Sequence, residues 1–140
     1  MSGLKKFMSS WEQALNADEE LAERNQSPYS TIEGKAAVVL DVKQLEPYTV
    51  SVEGGKFSIK KGAAKKPLLC WKVPGDVFKS AMLGEHKLMF SLLDPRNKLI
   101  FDTPNFTHWN GATIIEVLLL AQEMSVNNPE ISKLVKELEC

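Results

Sequence analysis

The chain has 140 residues, 44% hydrophobic and 25% charged, with a formal net charge of −1. That length fits one domain with one sizeable core, and the composition excludes a disordered or fibrous chain. The near-zero charge and a sequence pI near 6.1 give no general attraction for polyanions, so nucleic acid is not an expected partner. Cys70 and Cys140 are too few and too far apart for the disulfide framework of a small secreted domain, which predicts free thiols and a cytoplasmic setting. The start, Met-Ser-Gly-Leu-Lys-Lys, turns amphipathic without the apolar stretch of a signal peptide.

Leu4, Phe7, Met8, Trp11 and Leu15 recur at helical spacing and predict a first helix with one apolar stripe. Asn16 with Glu19 has the form of a capping box, so a second short helix is expected from there to about Asn25. Ser27-Pro28 ends helical structure.

From Ile32 the period changes to two. Val38, Leu40 and Val42, then Tyr48, Val50 and Val52, then Phe57 and Ile59 alternate with other residues, and predict three strands sharing one buried face. Gly54-Gly55 suits a two-residue hairpin, and the Gln44–Pro47 turn joins the first two strands in antiparallel fashion. No helix follows Gly54-Gly55, which excludes a phosphate or dinucleotide loop.

Lys61–Pro67 reads as a basic loop and Leu68–Val73 as a fourth strand, apolar on both faces and therefore central. Pro74-Gly75-Asp76 is expected to cap a helix that Gly84 terminates. Leu88–Leu93 follows, favoured as helix. Asp94–Asn97 reads as a turn, Lys98–Asp102 as a fifth strand, and Gly111–Met124 as a strongly apolar helix too short to cross a bilayer. Asn128-Pro129-Glu130 opens a last amphipathic helix through Ile131, Leu134, Val135 and Leu138, to about residue 139.

Chemistry-bearing motifs are lacking. His86, His108, Cys70 and Cys140 have no paired-ligand spacing, and no nucleophile elbow or protease signature occurs, so neither a metal site, a cofactor nor a catalytic residue is expected. Lys60, Lys61, Lys65 and Lys66 concentrate positive charge. They read either as a solvated loop or as a transient docking patch for anionic membranes. The residual signal is apolar excess, more than one sheet face can bury. Phe78, Met82, Met89, Leu93, Phe106, Trp109, Ile114 and Leu118 are the candidate lining of an apolar cavity. Plain core packing is the competing account of the same residues.

Two stretches carry a family resemblance. Val50-Ser-Val-Glu-Gly-Gly-Lys-Phe-Ser-Ile-Lys-Lys-Gly62 resembles the strand, glycine hairpin and strand of the sterol carrier protein type 2 family, and Asp76-Val-Phe-Lys-Ser-Ala-Met-Leu-Gly84 resembles its following helix. Ser10–Ala22 is similar to the opening of stand-alone prokaryotic members, so the resemblance spans about residues 10–125. Asp102–Asn110 is longer and more aromatic than the family's usual passage, and Asn128–Cys140 is an added helix. The resemblance implies an α/β (α+β) fold: a five-stranded, mainly antiparallel sheet covered by helices, with an apolar tunnel. It further implies a single domain over 1–140, with helices at about 4–25, sheet and helices at 32–125, and the extra helix at about 129–139. The implied function is non-catalytic binding and transfer of a sterol, fatty acid, acyl-CoA or other lipid. A homodimer closed by the apolar helix, or a lipid-presenting subunit of an enzyme system, are the competing functions.

Overall fold

The computed structural model describes residues 2–19, 35–53, 56–102 and 108–140. Helix α1 (Ser2–Ala17) precedes strands β1 (Lys35–Val42), β2 (Tyr48–Glu53), β3 (Lys56–Lys61) and β4 (Leu69–Val73). Helices α2 (Gly75–Met82) and α3 (Leu88–Leu92), strand β5 (Lys98–Phe101), and helices α4 (His108–Asn127) and α5 (Pro129–Lys136) follow. The sheet has the order β3-β2-β1-β4-β5. Three of its pairings are antiparallel, and β1 with β4 is parallel. This is the expected mostly antiparallel, helix-covered α+β architecture.

The period-two pattern explains the layering. Val38, Leu40 and Val42 stand beside Val50, Tyr48, Leu69, Trp71 and Val73 in register, all on the face that the helices cover. The α1 stripe of Leu4, Phe7, Met8, Trp11 and Leu15 is wholly buried against this face, as its spacing predicts. Each such side chain contributes roughly 1.5–3 kcal/mol relative to leaving it in water. Phe7 sits centrally, tilted on Trp11 at 6.3 Å and edge-on to Phe78 at 5.9 Å, which ties α1 to α2. The Trp11 indole donates to the carbonyl of Val117 at 3.1 Å and anchors α1 on α4. Glu53 pairs with Lys56, so Gly54 and Gly55 alone connect β2 and β3.

The loop after β3 has a job the sequence did not reveal. Because β4 joins β1 in parallel, residues 62–68 must return across β2 and β1. Thr49, on the face away from the helices, fixes that crossing: its hydroxyl donates to the Gly62 carbonyl at 2.7 Å and accepts from the Ala64 N–H at 3.0 Å.

Two capping expectations are corrected. Asn16 lies inside α1 and caps no following helix there. Its amide instead donates to the Phe57 carbonyl at 2.9 Å and accepts from the Phe57 N–H at 2.8 Å. The rest of the expected second helix, and Ser27-Pro28, lie outside the described residues. Asp76 does not cap α2. The cap position is Pro74, with no side-chain cap bond, and Asp76 is drawn into an ion pair with Arg96 at 2.8 Å. The Asn128 cap of α5 is as expected, accepting from the Glu130 and Ile131 N–H groups. No helix of the described residues is long and apolar enough to cross a membrane.

Candidate functional site

The described residues leave an apolar groove of about 590 Å³ between α3, α4 and the β4–β5 edge of the sheet. Its origin is local. Gly111 and Ala112, at the start of α4, are too small to fill the space opposite β5, where Leu99 and Phe101 project on the helix-covered face beside Leu69 and Trp71. Leu92 and the buried Ile114 and Leu118 form the floor with Leu69. At the rim Met89 is 50%, Leu93 70% and Phe101 42% exposed, so the groove opens to solvent along greasy edges. Among the described residues, every side chain that lines it is a hydrocarbon or a thioether. A cleft of this volume is in the range typical of small-molecule sites.

Of the sequence candidates, the groove brings together Met89, Leu93, Ile114 and Leu118. Phe78 and Met82 are elsewhere: at 0% and 1% exposure they belong to the core and do not line the groove. Phe106 lies outside the described residues, and of Trp109 only the backbone, in the first turn of α4, is described. Leu69, Leu92, Leu99, Phe101 and Ile115 line the groove without having been singled out. The signal for Leu99 and Phe101 was present, because they are two apart on a strand. Ile100 between them hid the alternation.

The four lysines divide between the two faces of the sheet. Lys61 projects on the helix side, where Glu46 pairs with it at 3.0 Å, and that hydrogen bond raises the ammonium pKa. Lys60 alternates to the opposite face, and Lys65 and Lys66 are exposed on the crossing loop. No group of three or more His, Cys, Asp or Glu able to hold a metal occurs among the described residues. Both cysteines are free thiols, and burial raises the pKa of each.

The sequence matches no protein-family model and no curated protein. Solved structures do match. The sterol carrier protein domain 2 of Helicoverpa armigera superposes with a TM-score of 0.61 at 12% identity, covering 90% of each chain. A UbiJ-SCP2 ubiquinone synthesis protein gives 0.56 at 10% identity, over 84% of this chain and 93% of that one. The sterol carrier protein 2 like 2 of Aedes aegypti gives 0.54 at 12% identity, over 83% of this chain and 96% of that one. With its strand order, helical cover and apolar groove already described, the chain has the fold of sterol carrier protein 2 domains.

Proposed function

We propose that this chain is a non-catalytic carrier that binds the apolar part of a lipid in the groove between α3, α4 and β5. The observation that carries the reading is a groove of about 590 Å³ lined by apolar side chains. Burying a ligand there is driven by removal of apolar surface from water, at roughly 25 cal/mol per Å² on each side. With no polar side chain in the lining among the described residues, selection falls to shape and length rather than to a head group. Met89, Leu93, Ile114 and Leu118 contact the ligand, with Leu99 and Phe101 closing the sheet side. Its structural neighbours include a sterol carrier protein domain and a ubiquinone synthesis protein, in agreement with a hydrophobic cargo. A cytoplasmic carrier moving lipid between membranes is the role this fits.

Titration with a pyrene-labelled fatty acid tests the reading. Saturable binding is expected, weakened at least several-fold by Met89→Gln with Leu93→Gln. These rim residues are half or more exposed, so the fold is spared. Affinity unchanged in that variant would sink the groove assignment. A wild-type chain that instead elutes as a dimer, and becomes monomeric in the variant without binding fatty acid, would identify the rim as a subunit interface.

A further inference from the structure

A second cleft, of about 780 Å³, opens at the end of the sheet where the parallel strands β1 and β4 finish and α2 begins. Its walls carry Lys43, Lys72, Lys98 and Arg96 with Asp41, Asp76 and the last residue, Cys140, and because Arg96 is matched by carboxylates the positive excess is confined to the three lysines beside Asp41. One of those carboxylates is already engaged: Arg96 is forked between Asp76 at 2.8 Å and Asp94 at 3.1 Å. No ion pair among the described residues reaches Lys43, Lys72 or Lys98.

The register sharpens the imbalance. Lys72 and Lys98 are direct cross-strand partners on β4 and β5, and Asp41 is the β1 partner of Lys72. Like charges directly opposite in an antiparallel pair are destabilising, with Cβ atoms about 4.5–5.5 Å apart. A single carboxylate on the far side of Lys72 does not neutralise both ammonium groups. Lys43 joins them from the β1–β2 turn, where Gln44 takes a left-handed φ of 74°. The first turn of α2 borders the same cleft through Pro74 and Gly75, with Cys140 packed on Gly75 and Asp76 held by Arg96.

From the unneutralised lysine pair and the cleft around it, we infer that this end of the sheet is a binding site for a phosphate-type dianion, held by Lys72 and Lys98 with Lys43. It is separate from the apolar groove, because Lys98 and Leu99 point to opposite faces of β5. The dianion is either a soluble phosphate or the head group of a membrane lipid, and both present the same oxygens to the lysines.

Two titrations of the full chain distinguish the sources. Pyrophosphate, followed by amide chemical shifts, should perturb Lys72, Gly75 and Lys98 saturably. Sedimentation with phosphatidylcholine vesicles, with or without phosphatidic acid, should reveal binding that needs the anionic lipid. Lys72→Gln with Lys98→Gln should weaken whichever binding occurs by about tenfold, the scale of a lost charge-assisted hydrogen bond. The control pair Lys60→Gln with Lys65→Gln removes the same charge outside the cleft and should leave binding unchanged. Pyrophosphate binding assigns a soluble ligand, and vesicle binding alone assigns a head group. Absence of both, or equal weakening by the control pair, overturns the proposal.

Discussion

Asn16 shows how one side chain can finish a sheet. β3 is an edge strand, and its outward N–H and C=O groups would otherwise face a helix with no partner. The Asn16 amide supplies one donor and one acceptor to Phe57, and Glu12, one helical turn earlier, accepts from the Ile59 N–H at 2.7 Å. Two side chains on one face of α1 thus act as a further strand. Asn16→Ala should cost about 1–3 kcal/mol, the scale of leaving part-buried backbone groups unpaired, as read by urea denaturation. A loss within error of zero would show that water replaces the amide. Sequence alone placed Asn16 in a capping box because asparagine before a glutamate has that form. Its partner lies 41 residues away, and no local pattern announces it.

The thiols give a second residue-scale test. Burial is the main cause of the raised pKa at both Cys70 and Cys140. A raised acid favours the protonated form in the fold, so any stability it contributes is fully present below the unfolded-state value and is lost as pH rises from there through the folded-state value. Alkylation by iodoacetamide at pH 8 should therefore be slower in the native chain than in denaturant at both sites, and equal rates would reject this. A Cβ built on Gly75 meets the Cys140 Cβ at 2.5 Å. Gly75→Ala should thus displace Cys140 and speed its alkylation selectively, leaving Cys70 as it was.

At the scale of elements, the end of α2 follows the reading of Gly84 as a terminator. Leu83 is the cap, Gly84 has φ 73°, and the Glu85 and Gly84 N–H groups return to the Ser80 and Ala81 carbonyls in a Schellman arrangement. Gly84→Ala combines left-handed strain with a contact of 2.8 Å to Val126 Cγ2. Val126 is 48% exposed and can move aside. Strain should therefore dominate, costing about 1–2 kcal/mol, and Val126→Ala added to Gly84→Ala should recover little of it in thermal unfolding. Near-complete recovery would show that the contact, not the backbone, sets the cost. The strands and this helix end were legible because period-two burial and glycine caps are local signals. The β1–β4 pairing was not, since a parallel pair leaves no hairpin between its members. The segment after β3 therefore read only as a basic loop, whereas it crosses β2 and β1.

At the scale of the whole molecule, the apolar excess of the sequence resolves into two populations. Phe78 and Met82 disappear into the one continuous core cluster of the described residues, whereas Met89 and Leu93 remain at a solvent-facing rim. Residue type could not separate them, because both uses select the same side chains. The distinction depends on what α4 leaves unfilled at Gly111 and Ala112, which emerges only once α3 and β5 are placed around it.

That separation yields a prediction about stability and binding together. Leu93 is 70% exposed at the groove rim, so Leu93→Gln should change the unfolding free energy by no more than about 0.5 kcal/mol. Phe78→Ala, removing a side chain that is 0% exposed, should cost about 3–5 kcal/mol. A ligand that binds only the folded chain adds stability by mass action, about 2.7 kcal/mol at a hundred times its Kd. A long-chain fatty acid should therefore stabilise the wild type, stabilise Leu93→Gln less at equal concentration, and stabilise Phe78→Ala by nearly the wild-type increment from a lower base. The increments are to be measured by urea denaturation with and without fatty acid. Should Phe78→Ala lose the increment while Leu93→Gln keeps it, the ligand lies within the core beneath α2 and not in the groove.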